Sequence, residues 1–230
     1  MGNKLSPLQV RVIEALSDLD PPWTLTGGAA LVGFHLHHRI TRDLDLFLYG
    51  RSALDDYADR VIDTLRAAGI DAVSQQTGTA MHRLLVTEKG ESTVLDLVAD
   101  PVPTIEAPVE RSLGGSKIRV DSKHEILVNK LCTLVQRSEI RDLIDVRELL
   151  AQGGDLLRAL SDAPKKDGGF SPLTLVWLLG QLSIEAIGEA EGLTPEETRG
   201  LEQFRDSLVA TLSELTLPGD DPGSSKAPRR

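Results

Sequence analysis

Residues 23–48 read W-T-L-T-G-G-A-A-L-V-G-F-H-L-H-H-R-I-T-R-D-L-D-L-F-L, and this stretch decides the fold. Asp43 and Asp45 alternate with Leu44, Leu46 and Leu48. On a strand, both carboxylates face one side and the leucines face the other. Two acids side by side repel each other and cost stability unless a cation lies between them. Hard oxygen ligands on a rigid strand suit Mg²⁺ (or Mn²⁺) carrying substrate phosphates. Upstream, Gly27-Gly28 closes a short apolar stretch and opens a helix predicted over Ala29 to His38. Glycines at a helix N-terminus let backbone N–H groups approach a phosphate, whose charge the helix dipole favours. A lone Gly-Gly usually means a turn. Gly-Gly, a short helix and then Asp-x-Asp on a strand is a far more specific order.

A second motif follows at K-x₆-R-x₃-R-D-x-x-D, formed by Lys130, Arg137, Arg141, Asp142 and Asp145. On an uninterrupted helix, Lys130, Arg137, Arg141 and Asp145 fall within roughly a quarter of a circle. Leu134 shares that sector, and Leu127, Leu131 and Leu149 border it. Two readings stand. One is a surface helix carrying i,i+4 ion pairs, the usual meaning of such charge runs. The other is a half-buried polyanion site with its own orienting acid.

Working outward, Ser6-Pro7 starts a helix with Leu8, Val12, Ala15 and Leu16 on one face, and Asp20-Pro21-Pro22 breaks the chain before a strand over Trp23–Thr26. Ser52 is expected to cap a helix carrying Leu54, Tyr57, Val61 and Leu65. Strands are predicted over Ala72–Gln76, Met81–Thr87 and Ser92–Ala99, the last two joined across Glu88-Lys89-Gly90-Glu91. Asp96 interrupts the apolar run of the last of these, which is costly without a partner. It is either an edge residue facing water or a third carboxylate beside Asp43 and Asp45. After a short strand over Lys117–Val120, helices are predicted at Ser122–Gln136, Glu139–Ala151, Asp155–Ser161, Pro172–Ile187 and Pro195–Leu215. The stripe Leu173, Val176, Leu179, Leu182 with Trp177 is expected in the core. Residues 218–230, rich in Pro, Gly, Ser and charge, are expected to be disordered.

The chain of 230 residues is 40% hydrophobic and 26% charged, ordinary for a globular protein able to bury a full core. It contains no apolar run of membrane-spanning length and no leader-like N-terminus, so a cytoplasmic location without membrane association is expected. A lone Cys132 rules out an intramolecular disulfide. The net charge of −10 argues against a broadly basic nucleic-acid surface. A local patch remains open to Arg39, Arg42, Arg83, Lys117, Arg119, Lys123, Lys130, Arg137 and Arg141. His35 and His38 share a helix face, but with no Cys or Glu close by a metal site there is improbable.

The combination G-G-A-A-L…H-R-I-T-R-D-L-D-L-F with K-x₆-R-x₃-R-D-x-x-D resembles the AbiEii/AbiGii (MenT-like) nucleotidyltransferase toxin family, within the DNA polymerase β-like superfamily. The resemblance rests on residues 23–48 and 123–150. It implies an α/β (α+β) nucleotidyltransferase-type mixed sheet with flanking helices, followed by an all-helical C-terminal domain. The corresponding boundaries are 1–121 for the catalytic domain and 122–217 for the helical one. Asp43, Asp45 and Asp96 are then the metal ligands. Lys130 neutralises phosphate charge, Asp145 holds Lys130 or Arg137 in place or contacts the nucleotide, and Gly27, Gly28, Arg137, Arg141 and Asp142 bind the nucleotide. His38-Arg39 matches a dipeptide that the family carries before its acidic strand. The implied activity is Mg²⁺-dependent transfer of a nucleotide from an NTP to an acceptor, tRNA foremost, by a toxin restrained by a cognate antitoxin. Thr41 has two readings: a β-branched strand residue bonded to local backbone, or a phosphorylation site beside the carboxylates, as in some relatives. One departure is that Gly27-Gly28 is followed by Ala29, where the superfamily usually has Gly-Ser. Two alternatives remain open, a non-catalytic nucleotide-binding module and a transferase acting on a protein or small molecule.

Overall fold

The computed structural model describes residues 4–216, so the tail call at 218–230 lies outside the described residues. Helix α1 (Pro7–Leu16) starts at a reciprocal cap: the Ser6 hydroxyl accepts from Gln9 N–H while the Gln9 side chain accepts from Ser6 N–H. Strand β1 (Thr24–Thr26) runs into α2 (Gly27–Ala30), which continues as a π-helical turn over Leu31–His35. The predicted helix therefore stops at His35, three residues early. His37, at φ 53°, reverses the chain before strand β2 (Asp43–Tyr49).

Strands β3 (Asp71–Thr77), β4 (Met81–Glu88) and β5 (Glu91–Asp100) follow α3 (Tyr57–Ala67). Ser52 does not cap α3: Asp55 takes a left-handed conformation, φ 51°, and the helix begins only after that turn. Strand β6 (Val109–Leu113), absent from the sequence-based expectation, forms a hairpin with β7 (Ser116–Val120). The seven strands make one mixed sheet in the order β3-β4-β5-β2-β1-β7-β6. Strand β2 lies at its centre, antiparallel to β1 and parallel to β5. Its burial alternates as its sequence dictates, with Leu44, Leu46 and Leu48 buried and Asp43 and Asp45 on the other face.

The remaining elements are helical: α4 (Lys123–Gln136), α5 (Ile140–Ala151), α6 (Leu156–Lys166), α7 (Pro172–Gln181), α8 (Ile184–Ala190) and α9 (Pro195–Thr216). The helix expected over Pro172–Ile187 is broken at Leu182-Ser183, whose backbones are non-helical. Of the stripe expected in the core, Leu179 and Leu182 are buried, whereas Leu173 and Trp177 are 61% and 64% exposed. The buried face of α7 is set by Leu175 and Leu179 instead.

One cluster of buried apolar side chains runs from Leu5 to Leu212 through sheet and helices alike. Buried charge fixes α4 against the sheet. Glu125, fully buried, accepts from the N–H groups of Ile105 and Glu106 and pairs with Lys166 at 2.9 Å. Lys166 also lies 4.9 Å from the centre of the Tyr49 ring on β2. Among the described residues, no single helix is long and apolar enough to cross a membrane.

Candidate active site

Three carboxylates meet on one face of the sheet because of register. Strands β2 and β5 are parallel neighbours with Asp45 opposite Asp96, so the acid inside the apolar run of β5 sits at the sheet centre rather than at an edge. Asp43, Asp45 and Asp96 line one cavity of about 230 Å³ together with Gly28, Thr41, Arg83, Lys130, Arg137, Arg141 and Asp142. Burial first, then the neighbouring Asp96 and Asp43, push the Asp45 carboxyl up to about 6 against the opposing pull of Lys130. The donor set is hard oxygen throughout and suits a divalent cation. Among the described residues no three His, Cys, Asp or Glu side chains already converge as a ligand cage. Both oxygens of Asp96 accept from Arg83, at 2.7 Å each.

The K-x₆-R-x₃-R-D-x-x-D motif does not lie on one helix. Helix α4 ends at Gln136, Ser138 turns through φ 48°, and α5 starts at Ile140. The two helices nevertheless bring the motif together. Lys130 Nζ, 9% exposed, donates to Asp142 Oδ1 at 2.6 Å and lies 2.8 Å from Asp145 Oδ2. Burial opposes the ammonium form, but Asp145 and Asp142 outweigh it and raise its pKa, so Lys130 is a permanent cation. An ammonium has three donors, which leaves one free of these two acids. Asp142 also accepts from Arg137 Nε at 2.9 Å. It is 1% exposed and bound to both Lys130 and Arg137.

Asp145 is fully buried and accepts from Arg39 Nε and Nη2, both at 2.8 Å, and from His38 Nε2 at 2.8 Å. Burial pushes its carboxyl upward. The bonds from Arg39 and His38 and the charge of Lys130 outweigh that and hold it well below the usual carboxylate range. Of the two partners expected for Asp145, it contacts Lys130, whereas Arg137 pairs with Asp142. Sequence reasoning noted His38 and Arg39 but did not foresee them as partners of Asp145. The π-helical turn and the reversal at His37 place them there, and no local pattern encodes that contact.

The glycines have specific reasons. Gly27 sits at φ 61°, and a Cβ there would collide with the Asp45 carboxylate. A Cβ on Gly28 would lie 2.7 Å from Arg39 Nη2 and 3.1 Å from Thr41 Oγ1. Thr41 precedes β2 rather than belonging to it, yet its side chain lines the cavity. It is 8% exposed, and its hydroxyl contacts Asp43 O at 3.4 Å. Buried Gln9 ties this loop to α1 through Thr41 O and Thr93 Oγ1.

Of the nine cations proposed as a patch, Arg39, Arg83, Lys130, Arg137 and Arg141 line the carboxylate cavity. Arg42 lines a neighbouring one, Lys117 pairs with Glu110 on the β6–β7 hairpin, and Lys123 borders a third cavity. The neighbouring cavity, about 700 Å³, shares Arg39 and Arg141 with the first and adds Arg42, Arg147, Ile40 and Ile144. Arg147, Ile40 and Ile144 were not anticipated, because the cavity forms only where α5 meets α9 and the loop before β2.

The chain is similar to MenT4, a nucleotidyltransferase toxin from Mycobacterium tuberculosis H37Rv, at 18% identity and a TM-score of 0.62 over 92% of this chain and 83% of that one. It is also similar to a candidate nucleotidyltransferase from H. pylori, at 22% identity and a TM-score of 0.52 over 90% and 94%. At such identities these likenesses speak for the fold. No match is found among curated proteins. The model of the family described as nucleotidyl transferase AbiEii toxin, type IV toxin–antitoxin system, matches residues 11–214. With nearly the whole described chain covered and a nucleotidyltransferase fold carrying three registered carboxylates, this protein belongs to the AbiEii nucleotidyltransferase toxin family.

Proposed function

We propose that this toxin transfers a nucleotidyl group from an NTP to the end of an RNA, tRNA foremost, in a Mg²⁺-dependent reaction. The observation that carries the reading is the cavity in which Asp43, Asp45 and Asp96 face the locked Lys130. In the transfer, an acceptor hydroxyl oxygen bonds the α-phosphorus, the bond to pyrophosphate breaks and the hydroxyl loses its proton. Asp43, Asp45 and Asp96 would hold the divalent cation, which when bound neutralises triphosphate charge and acidifies the attacking hydroxyl. Lys130, permanently charged, stabilises negative charge moving onto the departing phosphates. Asp142 and Asp145 keep its ammonium in place, while Arg137 and Arg141 supply charge at the more exposed rim. Gly27 and Gly28 let Asp45 and Arg39 approach the backbone closely, and their N–H groups would cradle phosphates beside those side chains. Residues 1–121 would form the catalytic part, and 122–217 would deliver the Lys/Arg/Asp motif to it.

The adjoining 700 Å³ cavity leaves room for an RNA acceptor: Arg39, Arg42, Arg141 and Arg147 line it beside apolar Ile40 and Ile144, with Glu148, Glu191 and Glu197 also lining it. A type IV system supplies an antitoxin partner. Thr41 is a candidate for its action, because a phosphate there would add roughly −1.5 to −2 charges among the carboxylates. The test is incorporation of each labelled NTP into total tRNA with Mg²⁺ or EDTA, beside an Asp45→Asn control. Label that enters only with Mg²⁺ and only in the wild type supports the reading. Label equal in the variant refutes it.

A further inference from the structure

Arg83 stands directly opposite Asp96 in the antiparallel β4–β5 ladder. Its Nε and Nη2 meet Asp96 Oδ1 and Oδ2 at 2.7 Å each, the two-pronged geometry in which Arg–carboxylate pairing is strongest. The hydrogen bonds to Asp96 raise the Arg83 pKa, with Asp43 and Asp45 adding to the effect. This cation differs from its neighbour Lys130. Lys130 is nine-tenths buried and bound to two acids on α5, so it cannot leave. Arg83 is 42% exposed, hangs on a long flexible stem and, among the described residues, makes its ion pair with Asp96 alone.

Three carboxylates on one face carry three negative charges, and in this state Arg83 supplies the cation that the third one requires. A divalent ion bound between Asp43, Asp45 and Asp96 competes with that fork for the oxygens of Asp96. The guanidinium, once released, faces the same cavity with its donors unpaired. A polyphosphate, whose oxygens accept from the planar guanidinium fork, is the partner that such a group would meet next. Binding of the metal and of the nucleotide would thereby be linked through one side chain, each favouring the other.

From this geometry we infer that Arg83 is a resident counter-cation, surrendered by Asp96 to the divalent metal and then taken up by the nucleotide polyphosphate. The inference rests on the metal and nucleotide reading given above. It predicts that the nucleotide-free toxin binds a divalent ion weakly and that removing the fork tightens binding.

Free Mn²⁺ is titrated by electron paramagnetic resonance against the full chain, with and without a non-hydrolysable NTP analogue. In wild type the analogue should tighten Mn²⁺ binding. Arg83→Met should tighten nucleotide-free binding about tenfold and shrink the gain from the analogue. Arg83→Lys, which keeps the charge but loses the fork, should fall between the two, and it stands in if the methionine variant misfolds. Arg141→Met removes the same charge 3.9 Å from Asp43 without breaking a fork, so it should change nucleotide-free binding far less. If Arg83 variants bind Mn²⁺ as weakly as wild type, or Arg141→Met tightens it equally, the counter-cation role is overturned while the metal site stands. If wild type binds no Mn²⁺ even with the analogue, the metal reading itself fails.

Discussion

Replacing Asp145 with Asn tests the hub on which the site depends. The carboxylate is fully buried and satisfies two bonds from Arg39, one from His38 and the contact with Lys130, all at 2.8 Å. Asparagine is nearly isosteric, so packing is preserved and the change is electrostatic. One acceptor oxygen becomes an amide that must face donors, and two cations lose their shared counter-charge. Lys130 keeps Asp142 at 2.6 Å, so Arg39, 17% exposed, bears most of the cost. Removing one partner of a buried ion pair costs about 3–5 kcal/mol. For a chain of this length each kcal/mol is about 2–4 °C in Tm. The expected loss at pH 7 is therefore roughly 6–20 °C, read by calorimetry and urea unfolding between pH 3 and 8. The folded pKa of Asp145 is depressed, so its contribution is complete above the unfolded value of about 3.9 and fades as pH falls below it. The gap between variant and wild type should thus be flat above about pH 5 and narrow in acid. Asp145→Asn combined with Lys130→Met should be less damaging than the sum of the two, by at least about 1 kcal/mol. A variant within about 1 kcal/mol of wild type, or a gap unchanged at pH 3, would refute the hub.

Asp45→Asn should abolish transfer yet stabilise the metal-free protein. Its folded pKa, about 6, exceeds the unfolded value, so wild type loses stability as pH rises from about 4 through 6. In EDTA the variant should match wild type near pH 4 and melt several degrees higher at pH 8, a gain of about 3 kcal/mol. Lys130→Ala should lower kcat by about a hundredfold or more, and a change confined to KM would make Lys130 a binding residue only. Gly27→Ala combines a left-handed backbone with a collision at Asp45, so it should cost about 2 kcal/mol or more and impair Mn²⁺ binding; an unshifted Tm would contradict that placement. Thr41→Glu should be inactive and Thr41→Val active, measured as label incorporated into tRNA, and an active Thr41→Glu enzyme removes the regulatory role.

Much of the carboxylate site was legible before folding. Period-two alternation around Asp43 and Asp45 fixed which side chains share a face, because strand geometry leaves no other arrangement. The β4–β5 hairpin was legible too, and in the structure its tight turn at Lys89-Gly90 sets Arg83 opposite Asp96. Three things were decided only in three dimensions. The parallel pairing of β2 with β5 joins strands separated by a helix and a hairpin, and no local pattern specifies that neighbour. The motif of Lys130 to Asp145 was legible as a set of charges on two helices parted near Ser138, but the clasp of Lys130 between Asp142 and Asp145 is set by how those helices pack. Asp145 acquired Arg39 and His38 because a buried carboxylate must be compensated by whatever cations the chain can bring. That compensation depends on packing across more than a hundred residues of sequence, which local propensity does not carry.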